Sequence, residues 1–183
     1  MNLRRATGVL GGGLVLLLPS SVWAGQTQRT TWPDCRVSQL TLETGFQISP
    51  ATGQNPLTLR LTNRAQRPCI LHGYPTIALT DERGSIPFSI GHRGDQMVTP
   101  HRPTRVVVRS GRSAFVLVTK FRCDLGDVRL ARMLRLGLPG HRTPQLSLAL
   151  PPYPRMSYCG KGDPGSTVVT SPFEPTLAAA TQR

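Results

Sequence analysis

The sequence predicts an all-β fold, an antiparallel sandwich of two sheets. Apolar residues alternate with polar ones over long stretches, as at Leu57, Leu59 and Leu61. A period of two places every second side chain on one face of a half-buried strand. The 17 prolines and 18 glycines leave little room for long helices. Frequent turns without strand–helix alternation favour a sandwich or a barrel, and a sandwich offers disulfides two sheets to join.

The same alternation predicts further strands along the chain. They cover residues 77–79, 105–109, 115–118, 134–138 and 146–150. Polar segments between strands are typical of short hairpin connections, at 63–66, 81–84 and 109–112. One helix is predicted over roughly residues 125–135, where arginines recur at every third position. Asp124 or Asp127 would cap its start, and its end fits a strand equally well.

The first 24 residues have the three-part layout of a secretory signal peptide. Arg4 and Arg5 give a basic start, and both the general and the twin-arginine export routes stay open. The apolar stretch Leu10–Leu18 is shorter than the roughly 20 residues that span a bilayer. Cleavage after Ala24 therefore predicts a secreted protein, extracellular or periplasmic, without a membrane span. The predicted organisation is a signal peptide at 1–24, a flexible lead-in at 25–34, the sandwich domain at 35–174 and a disordered tail at 175–183.

Four cysteines follow the export signal: Cys35, Cys69, Cys123 and Cys159. An even number of cysteines in an exported chain indicates disulfides, because the thiols meet an oxidising compartment. Their spacing favours the sequential pairs Cys35–Cys69 and Cys123–Cys159, each worth about 3–4 kcal/mol in the chain-entropy model. The cysteines thus indicate stability and neither a metal nor a redox site.

The chain is strongly basic, with a formal net charge of +13, and its basic residues are nearly all arginine. Such a surface attracts anions, so an anionic polymer of the cell envelope is a candidate partner, beside another protein. The alternative is that arginine usage reflects a GC-rich genome and that the charge only keeps the protein in solution. Aromatic residues make up 5% of the chain and do not interleave with arginine, which argues against specific nucleic-acid binding.

A series of motifs extends from Cys35 to Phe173. It comprises Leu59-x-Leu61-x-Asn63, Pro68-Cys69-Ile70-Leu71-His72-Gly73-Tyr74-Pro75, Ile77-x-Leu79, Asp81, Gly84, Val106-x-Val108, Ser110-Gly111-x-Ser113-Ala114, Cys159-Gly160 and Val168-Val169-x-Ser171-Pro172-Phe173. Together these resemble the secreted bacterial family catalogued as domain of unknown function 4232. The resemblance implies an immunoglobulin-like sandwich with two disulfides, and no activity is assigned to the family. Many members carry a lipid-anchoring cysteine, which this chain lacks.

The Gly-Tyr-Pro core of this pattern also has an interpretation of its own. Gly73 allows a backbone angle or a close approach that a side chain would block. Tyr74 can bury its ring and direct its hydroxyl to a backbone partner at a sandwich corner. A binding surface is the alternative role.

The sequence contains no recognised catalytic or metal-binding motif. The histidines, which are His72, His92, His101 and His141, form no His-Glu-x-x-His pattern, and Gly-x-Ser-x-Gly is missing. We therefore predict a protein that is not an enzyme, with no catalytic residue, no cofactor and no metal site. The alternative is an enzyme or a metal-handling protein whose site assembles from distant histidines. In that case His92 and His101 would meet Asp95 or Met97 in one pocket.

The best candidate for a binding surface is the basic loop from Gly91 to Pro103, since loops on rigid sandwiches often carry binding. The predicted patch consists of Arg93, Arg102, Arg105 and Arg109. Even spacing should turn the last two toward solvent, opposite Val106 and Val108. The loop also contains the tripeptide Arg93-Gly94-Asp95, which integrin-binding proteins display and which occurs often by chance. The predicted function is an exported, non-catalytic sandwich that serves as a binding or structural module of the cell envelope or the extracellular space.

Overall fold

The computed structural model describes residues 31–51, 53–124, 126, 128–140 and 145–182. The predicted signal peptide and the first six residues of the lead-in lie outside the described residues. The strands are β1 Leu40–Thr44, β2 Leu57–Asn63, β3 Cys69–Leu71, β4 Thr76–Asp81, β5 Gly84–Ser85, β6 Ser89–Gly91, β7 Val106–Val108, β8 Ser113–Lys120, β9 Arg129–Leu130, β10 Met133–Gly137, β11 Leu146–Ala149, β12 Ser157–Tyr158 and β13 Thr167–Thr170. Two 3-10 turns, Val37–Gln39 and Pro164–Ser166, and one short helix, α1 Leu177–Ala180, complete the described elements.

Two larger sheets and two strand pairs make up the fold. The five-stranded sheet has the order β1-β2-β8-β13-β6, and the four-stranded sheet has the order β11-β10-β4-β5. Strands β12 and β9 form one antiparallel pair, and β3 and β7 form the other. All these pairings are antiparallel except β13 with β6, which is parallel. The all-β prediction is confirmed, while the immunoglobulin-like topology stays a prediction.

Side chains from both larger sheets meet in one hydrophobic core. Leu59 and Leu61 of β2 are fully buried, as are Leu134 and Leu136 of β10, and all four belong to the same cluster. The alternation that predicts these strands therefore marks the core face of each sheet. The single residue between the two β10 leucines, Arg135, is exposed.

Both predicted disulfides are present. Cys35–Cys69 joins the start of the domain to β3, and Cys123–Cys159 joins the chain after β8 to the chain after β12. Next to the first bridge, Asp34 pairs with Ile70 as a parallel β-bridge. The end of the predicted flexible lead-in is thus fixed to the edge of β3.

The predicted helix over residues 125–135 is wrong. The described part of that segment contains β9 and the start of β10. The backbone N–H of Arg132 donates to the Thr80 carbonyl oxygen at 2.8 Å, and Leu134 pairs with Leu79 of β4. Pairing with β4 therefore overrides the weak local preference that the arginine spacing suggested.

Only one of the three predicted hairpin connections joins paired strands. Asp81 pairs with Gly84, so β4 and β5 form a tight hairpin. The connection at 63–66 links β2 to β3, and the one at 109–112 links β7 to β8, and these strands lie in different sheets. Turn residues reveal a reversal of the chain, but they do not reveal which strands pair afterwards.

The structure differs from the predicted disordered tail at 175–183. Residues 177–180 form α1, and Ala180 is fully buried. Thr176 caps this helix by accepting a hydrogen bond from the Ala179 backbone N–H at 3.1 Å.

No helix within the described part of the chain has the length and the apolar character that crossing a bilayer requires.

Candidate functional site

The basic loop begins at Gly91, the last residue of β6, and runs to Pro103, shortly before β7. Asp95 anchors it. The Asp95 Oδ1 atom accepts backbone hydrogen bonds from Met97 and Val98, both at 2.7 Å. Its Oδ2 atom accepts hydrogen bonds from Gln54 Nε2 at 3.0 Å and from the Thr119 hydroxyl. One carboxylate thus closes a turn of the loop and ties that turn to β8.

A glycine makes this turn possible. Gly94 has a φ of +76°, in the left-handed region that residues other than glycine rarely adopt. A Cβ atom at Gly94 would lie 2.8 Å from the Val98 carbonyl oxygen. The turn therefore needs glycine for its backbone angle and for space.

The middle of the loop is packed and not solvated. Met97, Val98 and Thr99 are buried, and Met97 and Val98 share a cluster with Leu117 and Ala180. The Thr99 N–H donates to the Ala180 carbonyl oxygen at 3.1 Å, and Val98 forms a β-bridge with Thr181. The C-terminal segment therefore provides a second anchor for the loop, beside Asp95.

Tyr74 fixes both ends of the loop, which agrees with the structural role expected for it. Its hydroxyl lies 3.2 Å from the His92 carbonyl oxygen and 3.5 Å from that of His101. Its ring packs on the imidazole of His92, with the ring centroids 4.3 Å apart. Because one hydroxyl reaches both carbonyl groups, the backbones of Arg93 and Arg102, which follow those histidines, start close together.

The four arginines of the predicted patch are all exposed. They are Arg93, Arg102, Arg105 and Arg109. The two that flank β7 lie four residues apart, about 13 Å along an extended strand, and Val107, 44% exposed, lies between them. The neighbours Val106 and Val108 are buried, as their alternation predicts. Among the described residues, none of the four patch arginines forms a salt bridge with a carboxylate.

Arg105 also lines a surface cleft of about 370 Å³ beside the first disulfide. Asp34 and His72 line the same cleft. The acidic side chain lowers the positive potential at this end of the patch. We therefore expect the pair Arg93 and Arg102 to contribute most of the attraction for an anion.

Among the described residues, the histidines and their neighbours do not form the cluster that the alternative hypothesis requires. Met97 is buried, and its sulfur accepts the backbone N–H of Ala51 at 3.2 Å. Asp95 makes the hydrogen bonds described above, and His141 lies outside the described residues. Within the described ranges, no group of three histidine, cysteine, aspartate or glutamate side chains could hold a metal ion.

Two titratable groups near the loop have shifted pKa values. Partial burial lowers the pKa of the His92 imidazole, and a hydrogen bond with the Thr170 backbone opposes that shift. Burial raises the pKa of the Glu174 carboxyl, and the charge of His101 opposes it. Since Glu174 is 5% exposed, it sits below the loop surface and not on it. No sequence signal marks this carboxyl, because Glu174 forms a β-bridge with Phe115, a residue distant in the chain.

The tripeptide Arg93-Gly94-Asp95 is not free for adhesion in this structure. Both carboxylate oxygens of Asp95 accept hydrogen bonds from within the protein. An integrin-type ligand must offer its aspartate to a partner. The tripeptide is better explained as the anchor of the loop.

Comparisons with known proteins identify a family and no described activity. The family model described as domain of unknown function (DUF4232) matches residues 35–174. No curated protein and no solved structure matches the chain. The matched range covers the two disulfides, both sheets and the basic loop.

Proposed function

The chain belongs to the DUF4232 family, and we propose that it is an exported, non-catalytic module that binds an anionic polymer of the cell envelope. The contact surface is the basic patch formed by Arg93, Arg102, Arg105 and Arg109. Export agrees with the predicted signal peptide and with two disulfides, which are typical of oxidising compartments.

One observation carries the proposal: three sets of contacts hold the backbone of the loop, while Arg93 and Arg102 in the loop and Arg105 and Arg109 beside it are exposed. Asp95, Tyr74 and the C-terminal segment fix the backbone. A fixed backbone lowers the conformational entropy that binding removes. Side chains that are not engaged with carboxylates can instead meet phosphate or carboxylate groups of a polymer.

The non-catalytic part of the proposal is supported by how the reactive groups near the loop are used. Asp95 and Met97 serve as structural acceptors. Glu174 is buried, and the His92 ring is covered on one face by Tyr74. Asp95, Met97 and His92 thus take part in contacts that position the loop.

The direct test compares two variants of equal charge. In the first, the four patch arginines are changed to Gln. In the second, four exposed basic residues elsewhere are changed to Gln: Arg83, Arg132, Arg135 and Lys161. Arg60 is unsuitable as a control because it pairs with Glu43 at 2.5 Å. The probes are inorganic polyphosphate and alginate, a phosphate and a carboxylate polymer, with affinity measured by calorimetry.

We expect the patch variant to lose at least about tenfold in affinity, which corresponds to about 1.4 kcal/mol. The control variant should lose much less. Equal losses would mean that only net charge matters, and the patch would then be rejected.

Amino-terminal sequencing of the protein from the periplasm or the medium tests export, and the sequence obtained should begin at Gly25. Retention of Met1 in a cytoplasmic fraction would contradict it.

A further inference from the structure

A second basic site lies in a cleft that contains no residue of the basic loop. Three segments form this cleft, which has a volume of about 230 Å³: the approach to β2, the end of β8 and the chain that enters β12. Its lining residues are Asn55, Lys120, Arg122, Cys123, Tyr153, Arg155 and Ser157. The Asn55 backbone N–H donates to the Lys120 carbonyl oxygen at 2.8 Å, and the Asn55 side chain donates to the Arg155 carbonyl oxygen at 3.3 Å. These hydrogen bonds hold the three segments together.

The charge of the cleft has one sign among the described residues. Lys120, Arg122 and Arg155 line it, and no described lining residue is acidic. Lys120 is 1% exposed, and its Nζ atom donates to the Phe121 carbonyl oxygen and lies 3.8 Å from Cys159 Sγ. Lys120 therefore places a buried positive charge at the cleft.

A buried hydroxyl in the cleft has no hydrogen-bond partner among the described residues. Ser157 is 2% exposed, and its Oγ atom makes no hydrogen bond. Leaving a buried polar group unsatisfied costs about 1–3 kcal/mol, so such groups are rare in folded proteins. A ligand oxygen would satisfy this donor, and the hydroxyl therefore points to a ligand independently of the charges.

Tyr153 connects the cleft with a second groove. Its side chain is 54% exposed and lines both the basic cleft and a groove of about 140 Å³. Pro56, Pro151 and Pro154 also line that groove. An aromatic ring flanked by prolines offers a flat, largely apolar surface directly beside the cations.

We propose that this cleft binds the oxyanion of a small ligand, a carboxylate or a phosphate, whose attached ring lies against Tyr153. Lys120, Arg122 and Arg155 provide the positive charge, and the Ser157 hydroxyl donates to the oxyanion. The ring can come from a sugar acid or from an aromatic acid, since both place a flat apolar face next to the charged group. The site shares no residue with the basic patch, so either proposal can fail alone.

Calorimetry on the full-length mature protein at constant ionic strength tests the site. The probes are glucuronate, glucose 6-phosphate, phenyl phosphate, inorganic phosphate and, as the neutral control, glucose. We expect the ring-bearing anions to bind more tightly than inorganic phosphate and glucose not to bind. Tighter binding of phenyl phosphate than of both sugar probes would identify the ligand's ring as aromatic. Tighter binding of the sugar probes would identify it as a sugar ring. Binding of inorganic phosphate at equal strength would overturn the role of Tyr153.

Two variants separate the cations from general charge. Arg122→Gln with Arg155→Gln should weaken anion binding at least about tenfold, because charge-assisted hydrogen bonds are the strong ones. The matched control is Arg132→Gln with Arg135→Gln. These two arginines are exposed and lie just before and within β10 of the four-stranded sheet. An equal effect of both pairs would overturn the site.

Ser157→Ala gives the sharpest comparison. Removing an unsatisfied buried hydroxyl should leave the free protein as stable as before or more stable. The same change should weaken anion binding severalfold, because the ligand loses a donor. Unchanged affinity in a stably folded Ser157→Ala protein would overturn the assignment of the hydroxyl to the ligand.

Tyr153→Ala tests the ring contact separately. It should weaken binding of the ring-bearing probes only.

Discussion

The Tyr74 ring packs against the His92 imidazole at 4.3 Å while the Tyr74 hydroxyl lies 3.2 Å from the carbonyl oxygen of the same residue. One side chain thus holds the entry of the basic loop by two contacts. The carbonyl oxygen of His101 lies 3.5 Å from the same hydroxyl, at the point where the loop returns. The position of Arg93 relative to Arg102 therefore depends on Tyr74.

Tyr74→Phe should loosen this loop without unfolding the protein. The change keeps the ring contact and removes the hydroxyl, which should cost about 0.5–1.5 kcal/mol. Amide hydrogen exchange of peptides from residues 92–105 should become faster. Tyr153→Phe is the control, because Tyr153 is exposed and remote in sequence. Unchanged exchange in the loop would show that the hydroxyl does not hold it.

Asp81→Asn should reduce stability in a pH-dependent way. The Arg129 guanidinium hydrogen-bonds both carboxylate oxygens of Asp81, with Nε to Oδ2 at 2.8 Å. These bonds lower the pKa of Asp81 from about 3.8 to about 2. A lowered pKa means that the carboxylate stabilises the fold at neutral pH and that this stabilisation is lost as the pH falls through about 2.

Urea unfolding between pH 7 and pH 2 measures this difference. Wild type should exceed Asp81→Asn by a constant amount above pH 5, and the gap should shrink below pH 4. Glu82→Gln removes the same charge one residue away on an exposed side chain and should show a smaller gap. A gap that stays constant down to pH 2 would contradict the ion pair.

The first disulfide should stabilise the domain strongly. Cys69 is fully buried, and its bridge to Cys35 fixes the segment that pairs with β3 at Ile70. Replacing both cysteines by Ser, which avoids a free thiol, should cost about 2–5 kcal/mol. Thermal unfolding compares this variant with the wild type. Peptide mapping without reductant should recover Cys35 with Cys69, and a crossed pair with Cys159 would refute the assignment.

Strand positions were predictable where the apolar alternation is strong. Leu57, Leu59 and Leu61 mark β2, and Val106 and Val108 mark the buried face of β7. The signal is local, since each strand buries one face whatever its partner. Pairing partners are not local, which explains why the segments at 63–66 and 109–112 join different sheets.

The predicted helix failed for a related reason. The arginine spacing predicted the helix on the assumption that these arginines are exposed. Arg129 instead forms a hydrogen bond with Asp81, 48 residues away. That ion pair and the pairing of β10 with β4 determine the structure of this segment.

The charged residues of the candidate site were predictable from the sequence, but the residues that hold the loop in place were not. The patch arginines could be chosen from the sequence because Arg93 and Arg102 lie in a long loop and because Arg105 and Arg109, four residues apart, flank β7. The anchors Asp95 and Tyr74 act through partners that only the fold brings near, such as Thr119 and His101. The buried state of Lys120 and Ser157 likewise depends on three segments that are distant in sequence.

The salt dependence of polymer binding tests the central claim most directly. If the patch arginines neutralise groups on an anionic polymer, each contact releases a counterion, so log K falls linearly with log salt concentration. Changing all four to Gln should reduce that slope by about 1 for every arginine in contact, up to about 4. The control variant with Arg83, Arg132, Arg135 and Lys161 changed to Gln should keep the wild-type slope. The same slope for wild type and patch variant, or the same reduction in both variants, would contradict binding at the basic loop.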